Sequence, residues 1–180
     1  MKTVDLSELG PAQVDQLAAL TLEAAREHSP TWLPDLERAR EVIAEAQGKF
    51  ARVLLDDTDA PVAWVAASHA WGRIWELHPM IVAVAHQRRG HGRRLVQEVE
   101  AAATRAGALT LCLSTSDMTE ATSLSGVDLF DDPLRRAAEL QAKPHAVQFW
   151  QRIGFQVVGV TPDAEGPGQP SINLAKRLSG

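Results

Sequence analysis

The sequence of 180 residues contains no tyrosine and a single cysteine, Cys112. One cysteine cannot form an internal disulfide, and this suits a reducing compartment, so we expect a cytoplasmic protein. The chain also has no apolar run long enough to cross a bilayer, and its first residues lack the hydrophobic segment of a signal peptide. We therefore expect no membrane partner.

Two further classes of partner find little support in the sequence. The net charge is −5, whereas binding to duplex nucleic acid depends on neutralising phosphates, so we expect no nucleic-acid partner. The six histidines form no HExxH pattern and there is no CxxC pair, so we expect no metal site. A negative net charge is compatible with a cationic substrate.

The composition is that of one folded domain. Hydrophobic residues make up 45% of the chain and charged residues 23%, which is typical of a globular protein rather than a disordered one. No repeat or low-complexity linker interrupts the sequence, so we predict a single domain over residues 1–180.

The spacing of apolar residues predicts an alternation of helices and strands. Helices are predicted from Gly10-Pro11 to about residue 25, over about 35–47, from Gly92 to Gly107, and over a short segment before Gly154. Strands are predicted over 50–56, 62–68, 74–84, 108–114, 155–160 and 172–174. Residues 115–143 show no clear regularity, and long irregular segments in a compact domain are often functional. The order of elements predicts a mixed α/β sheet.

The strongest chemical signal is the loop Gln87-Arg88-Arg89-Gly90-His91-Gly92, between an apolar strand and an amphipathic helix. The two glycines let the backbone approach a ligand, and the N–H groups that open a helix bind anions. Arg88, Arg89, Arg93 and Arg94 crowd the same helix N-terminus, where cations oppose the helix dipole unless an anion is bound. The alternative is a solvated basic helix start. The segment is neither a Walker loop nor a Rossmann fingerprint.

With this loop, the sequence resembles the GNAT acetyltransferase superfamily, whose signature is Gln/Arg-x-x-Gly-x-Gly/Ala. The later segment Phe149-Trp150-Gln151-Arg152-Ile153-Gly154-Phe155 is similar to a second region of that family. The resemblance implies an acetyl-CoA-dependent N-acetyltransferase with a mixed, mostly antiparallel central sheet and helices on both faces. It also implies which residues bind acetyl-CoA. Those along pantetheine are Met80, Ile81 and Val82, and those around the pyrophosphate are Gln87, Arg88, Arg89, Gly90, His91, Gly92 and Arg93. Phe149 and Trp150 are implied as further contacts of acetyl-CoA.

From Trp75 to its end, the chain further resembles the dimeric enterococcal-type aminoglycoside 6′-N-acetyltransferases. The matching segments are Trp75-Glu76-Leu77-His78-Pro79, Leu113–Asp117, Thr122–Ser125, Asp128–Phe130, Lys143-Pro144-His145, Val158–Val160 and Ala175-Lys176. This implies a homodimer and a cationic small-molecule amine as acceptor, with the 6′-amino group of an aminoglycoside as the leading candidate.

An amine must lose a proton before it attacks a thioester, so the site needs a base or a path for the proton through water. Glu76 is the candidate base, and His78, two residues away on the same face of a regular strand, is the second catalytic candidate, able to form a proton path with it. The alternative is that Glu76 only binds substrate ammonium groups and His78 is a half-buried structural histidine. The candidate acceptor-binding carboxylates are Glu76 itself, Asp117 at the end of a predicted strand, and Asp128 in the acidic segment after it.

Two positions depart from the resemblance. The family commonly places a tyrosine beside the sulfur of CoA, where this chain has Trp150, and the close relatives carry aspartate where this chain has Ser171. An indole N–H is a donor but not a usable acid. Two alternative functions therefore stay open: acetylation of a protein or peptide amine, and a non-catalytic CoA-binding regulatory module.

Overall fold

Antiparallel strand pairing organises the first 109 residues. The structure, a computed structural model, describes residues 1–26, 29 and 31–178, and it divides into one unit over Met1–Leu109 and another that begins at Thr110. The strands of the first unit are β1 (Lys2–Asp5), β2 (Phe50–Leu55), β3 (Pro61–Trp71) and β4 (Ile74–Val82), and each pairs antiparallel with the next.

The turn between β2 and β3 is held by one carboxylate. Asp56 accepts hydrogen bonds through Oδ1 from the backbone N–H groups of Thr58 and Ala60, at 2.8 and 3.0 Å, and from the Thr58 hydroxyl at 2.7 Å. A short aspartate side chain that bonds its own following backbone is a common device for closing a tight turn.

The α-helices in the described part of the first unit are α1 (Pro11–Ala25), α2 (Leu36–Glu45) and α3 (His91–Arg105). The fully buried Trp64 on β3 connects the sheet to α1, because its indole N–H donates to the Thr21 hydroxyl at 2.9 Å, and that hydroxyl donates to the Leu17 carbonyl at 2.6 Å. This chain of bonds satisfies the buried polar atoms that an indole and a hydroxyl bring into a core.

A β-bulge interrupts the pairing of β3 with β4. Val65 pairs with Met80 and Ala67 pairs with Leu77, so the single residue Ala66 lies opposite two residues, His78 and Pro79. Bulges redirect the side chains of a strand and are frequent beside active sites.

The second unit is built on a three-stranded antiparallel sheet. Its strands are β5 (Thr110–Ser116), β6 (Gln156–Gly166) and β7 (Gln169–Arg177), with β7 in the centre. Two short helices, α4 (Pro133–Ala138) and α5 (Ala146–Arg152), lie between β5 and β6 in the chain.

The predicted mixed α/β fold is confirmed, and its departures are local. Sequence patterns gave no sign of β1 or α4; the first is only four residues long and the second only six. The strand predicted over 74–84 ends at Val82, because a 3-10 turn over Val84–His86 follows it, and β6 and β7 are longer than predicted. No helix in the described part of the chain is long and apolar enough to span a membrane.

Candidate active site

The loop before α3 has a backbone that leaves its N–H groups open to a ligand. Gly90, the N-cap residue of α3, has a φ of +85°, and Arg88 has a φ of +58°. No side chain caps the helix and its first turn contains no acidic residue. Because the first N–H groups of a helix have no partner inside it, a 15-residue helix with an open end is a site of positive potential.

The arginines around this end divide into two groups. Arg88, Arg89 and Arg93 are exposed, and within the described residues their guanidinium groups form no ion pair or hydrogen bond. Arg94 instead donates to the Thr3 hydroxyl at 2.9 Å and lies 3.9 Å from a carboxylate oxygen of Glu98. Three of the four arginines of the predicted anion site are therefore unpaired, and the fourth has an internal partner.

Two histidines, one just before the loop and one within it, contain unsatisfied polar atoms. Nδ1 of His86 and Nε2 of His91 are buried without a hydrogen-bond partner, and the two rings lie 6.2 Å apart. Desolvation lowers the pKa of His91, and the charges of His86, Arg89 and Arg94 lower it further. Unpaired buried nitrogens, open N–H groups and unpaired arginines together fit an anionic group such as a pyrophosphate.

The end of β4 lies beside this loop. The side-chain amide of Gln87 donates to the Val82 carbonyl at 3.3 Å, which connects the loop to the strand. Met80, Ile81 and Val82, predicted to line pantetheine, are all half-buried, and they pair with Val65, Trp64 and Ala63 of β3.

Glu76 and His78 are exposed on β4, while the alternate residues Leu77 and Pro79 are buried. The imidazole of His78 packs edge-on against the indole of Trp32, with ring centroids 5.3 Å apart and planes at 63°. The pKa of His78 is lowered, chiefly because the neighbouring protein atoms displace water from the ring, while the Glu76 carboxylate opposes the shift. Sequence patterns had given no sign of Trp32 at this position.

Asp117 has a structural role that its position in the sequence did not reveal. The residue is 0% exposed, and its carboxylate accepts hydrogen bonds from the backbone N–H groups of Ala121 and Thr122, from the Thr122 hydroxyl, and at 3.3 Å from the N–H of Thr119. Burial alone raises the pKa of Asp117, but these bonds outweigh it and hold the pKa below its usual range. This arrangement does not support the predicted acceptor contact, because both carboxylate oxygens are engaged and hidden.

Further backbone interactions hold the segment that follows Asp117. Thr122 forms an isolated antiparallel bridge with Ala142, and Gly126 donates through its N–H to the Gly168 carbonyl at 2.9 Å. Asp128 is exposed, and its Oδ1 accepts a bond from the Phe130 N–H at 3.0 Å. Of the three predicted acceptor carboxylates, Glu76 and Asp128 are therefore exposed, while Asp117 is buried.

The late aromatic pair predicted to contact acetyl-CoA lies on α5. Trp150 is only 5% exposed and packs edge-on against Phe149 and Phe155, with centroid separations of 4.9 and 5.3 Å. Its indole therefore belongs to the core of the second unit. This does not support the predicted contact of Trp150 with acetyl-CoA, while Phe149 is half-buried.

Among the described residues, no group of three or more histidine, cysteine, aspartate or glutamate side chains could hold a metal ion.

Comparison with protein families identifies the class of protein. The family model described as "Acetyltransferase (GNAT) family" matches residues 13–123, which is more than half of the chain. The chain belongs to this family and is an acetyltransferase. The prediction of an acetyltransferase that uses acetyl-CoA is thereby confirmed at the level of the family.

Solved structures of three aminoglycoside acetyltransferases are similar over the whole chain. An aminoglycoside 6′-N-acetyltransferase complexed with coenzyme A is 29% identical with a TM-score of 0.88, covering 100% of this chain and 98% of that one. The enzyme from Enterococcus faecium is also 29% identical, with a TM-score of 0.85 and the same coverage. An aminoglycoside 6′-acetyltransferase type Ii is 26% identical, with a TM-score of 0.70 and coverage of 100% and 99%. The comparison with curated protein sequences gives no match.

Proposed function

We propose that this protein transfers the acetyl group of acetyl-CoA to a primary amine of a small cationic acceptor, with the 6′-amino group of an aminoglycoside as the first candidate. The observation that carries the donor half is the open N-terminus of α3, with three unpaired arginines and two unsatisfied imidazole nitrogens beside it. Arg88, Arg89 and Arg93 neutralise the phosphates, and the N–H groups after Gly90 bind their oxygens. Met80, Ile81 and Val82 line the pantetheine arm.

The acceptor half of the proposal rests on Glu76 and His78. The acceptor amine is protonated at neutral pH and must lose a proton before it attacks the thioester carbonyl directly in a ternary complex. Glu76, exposed on β4, takes that proton directly or through a water molecule. His78 lies on the same face of the strand, and its lowered pKa keeps the imidazole neutral at pH 7, so that it can accept a proton as well.

The acceptor is proposed to be a small polycation for two reasons. Exposed carboxylates are available at Glu76 and Asp128, and the whole chain has a net charge of −5, which attracts cations. In addition, three solved relatives between 26% and 29% identical are named as acetyltransferases of the 6′ position of aminoglycosides. Asp117 is left out of the proposed acceptor contacts because it is buried.

The leaving thiolate of CoA receives its proton from water or from a residue other than Trp150 on α5. The chain contains no tyrosine, and Trp150 is buried and has no acidic proton to give. The resemblance to dimeric enzymes further leads us to propose a homodimer in the cytoplasm, and sedimentation equilibrium of the purified protein tests the dimer.

The decisive experiment measures release of free CoA thiol from acetyl-CoA with a panel of amines. The panel contains aminoglycosides, linear polyamines and basic peptides, and it includes an aminoglycoside with a 6′-amine beside a matched one with a 6′-hydroxyl. We expect turnover with the 6′-amine and little with the 6′-hydroxyl. Equal turnover of both would contradict the regiochemistry, turnover of peptides alone would favour a protein substrate, and absence of turnover with tight CoA binding would favour a non-catalytic module.

A further inference from the structure

We propose that Trp32 is the positioning residue for His78, holding the imidazole edge-on so that its ring nitrogens stay directed to the acceptor amine beside Glu76. The inference rests on the proposed function, because it assigns a role within the same acceptor site. Trp32 lies in the connection between α1 and α2, and His78 lies on β4, so the contact exists only in the folded chain.

His78 is held by a ring contact, whereas two other histidines of the protein are held by hydrogen bonds. Nε2 of His69 bonds the Gly72 carbonyl at 3.0 Å, and Nε2 of His145 bonds the Ser116 carbonyl at 3.1 Å. Neither ring nitrogen of His78 forms a hydrogen bond within residues 1–26, 29 and 31–178, and its specific neighbour is the indole of Trp32 at 5.3 Å. A catalytic histidine is commonly oriented by a hydrogen bond to its second nitrogen. Here an aromatic contact takes that place and leaves both nitrogens available.

The indole of Trp32 is itself held in place by packing and by a backbone hydrogen bond. Its ring is half-buried and packs against the hydrophobic core of the first unit. Its backbone N–H donates to the Ser29 carbonyl at 3.2 Å, which closes a turn just before it. Edge-to-face contacts between aromatic rings have a preferred geometry, so a fixed indole restricts the rotation of the imidazole against it.

The charges around His78 do not by themselves fix the ring. Glu76 on β4 and Glu45 at the end of α2 favour the protonated imidazole, while Lys49 and Arg38 disfavour it. Two acidic and two basic groups thus act in opposite directions, and displacement of water from the ring is the largest influence. Trp32 is one of the groups that displace this water, so its removal should alter both the orientation and the titration of His78.

The test compares Trp32→Leu, Trp32→Phe and the control Trp71→Leu, whose parent residue is 62% exposed on the surface of the same unit. In Trp32→Leu we expect kcat to fall at least about tenfold with the best amine, at unchanged Kd for CoA, because misplacing a reacting group costs rate rather than donor affinity. Trp32→Phe keeps an aromatic ring against the imidazole and should retain kcat within about threefold. Trp71→Leu should behave as wild type.

Two readouts separate positioning from a general loss of structure. Proton NMR titration of His78, assigned with His78→Asn, should show its pKa rising toward the ordinary value in Trp32→Leu and staying in place in Trp71→Leu. In a double-mutant cycle, Trp32→Leu should cost little further activity once His78→Asn is present. Equal losses in both backgrounds, or an unchanged kcat and titration in Trp32→Leu, would overturn the proposal.

The proposal can still be tested if Trp32→Leu does not fold, or if no amine in the panel is acetylated. Should Trp32→Leu not fold, Trp32→Met fills the site with a flexible apolar chain and allows the same comparison. If the wild type acetylates no amine in the panel, the proposed function fails, whereas the NMR titration still decides whether Trp32 holds His78.

Discussion

The buried carboxylate of Asp117 accepts two hydrogen bonds from Thr122, one from its backbone N–H at 2.8 Å and one from its hydroxyl at 2.7 Å. The other carboxylate oxygen accepts a bond from the Ala121 N–H at 2.9 Å. Asp117 therefore fixes the start of the acidic segment that contains Asp128, while its own carboxylate is buried.

Asp117→Asn is expected to lower the free energy of unfolding at pH 7 by about 2–4 kcal/mol, because an amide cannot accept all the bonds that a carboxylate accepts. The folded-state pKa of Asp117 is lowered, so its stabilising contribution is complete above the unfolded pKa of about 3.9 and is lost as the pH falls through the folded value. Urea unfolding of both proteins should show their difference shrinking below about pH 4.

Asp56→Asn is the matched control, since Asp56 likewise accepts bonds from residues after it, three in number, but in a partly exposed turn of the first unit. We expect a smaller loss of stability than in Asp117→Asn and an unchanged KM for the acceptor. If the KM for the acceptor rises in Asp117→Asn and stays constant in Asp56→Asn, the segment after Asp117 takes part in acceptor binding. The same KM in both variants would show that it does not.

Gly90→Ala is expected to weaken binding of CoA, because a φ of +85° costs a residue with a Cβ about 1–2 kcal/mol. An added Cβ would meet no atom within 4 Å, so the effect comes from the backbone and not from a clash. Gly10→Ala, at the N-cap of α1 with a φ of −74°, is the control and should bind CoA as the wild type does. Isothermal titration calorimetry measures both.

Arg88→Gln and Arg89→Gln should each raise the Kd for CoA roughly three- to tenfold, with a smaller effect at high salt, because charge-assisted contacts with exposed phosphates are screened by ions. Arg94→Gln, whose parent side chain bonds Thr3, should change the Kd less than twofold. Titrations at low and high salt check this difference, and an Arg94 effect as large as the other two would remove the distinction between paired and unpaired arginines.

Glu76→Gln should lower kcat by about a hundredfold or more, because an amide cannot take a proton from the acceptor amine, while the Kd for CoA stays constant. Raising the pH should restore part of the activity, since the amine then loses its proton to solvent. Steady-state rates from pH 6 to 10 measure this, and a variant as active as the wild type at pH 7 would exclude Glu76 as the base.

Trp150→Phe should lower the free energy of unfolding by about 1–3 kcal/mol and leave the KM for acetyl-CoA unchanged, since the indole is packed between Phe149 and Phe155. Trp71→Phe, at an exposed position, should alter neither. Thermal unfolding with parallel kinetics tests the pair, and a KM for acetyl-CoA that rises several-fold in Trp150→Phe would return this residue to the donor site.

The loop before α3 shows how much of the proposed donor site could be predicted from the sequence. The order of an apolar strand, two closely spaced glycines, adjacent arginines and an amphipathic helix is a local pattern, and local backbone geometry follows from neighbouring residues. The exposure of Glu76 and His78, which alternates with the burial of Leu77 and Pro79, is likewise a property of one strand. Family membership, the helix opened by a glycine loop and the shared exposure of Glu76 and His78 could therefore be predicted from the sequence alone.

What the sequence left open depends on contacts between distant segments. Whether Asp117 faces a ligand or binds Thr122 depends on how the chain after β5 folds back, and whether Trp150 lines a site or a core depends on Phe155 beyond the helix. The contact of Trp32 with His78 joins residues 46 positions apart in the sequence. Residue type and spacing determined which groups are proposed for acetyl transfer, whereas tertiary packing decided which of them are exposed and which are engaged internally.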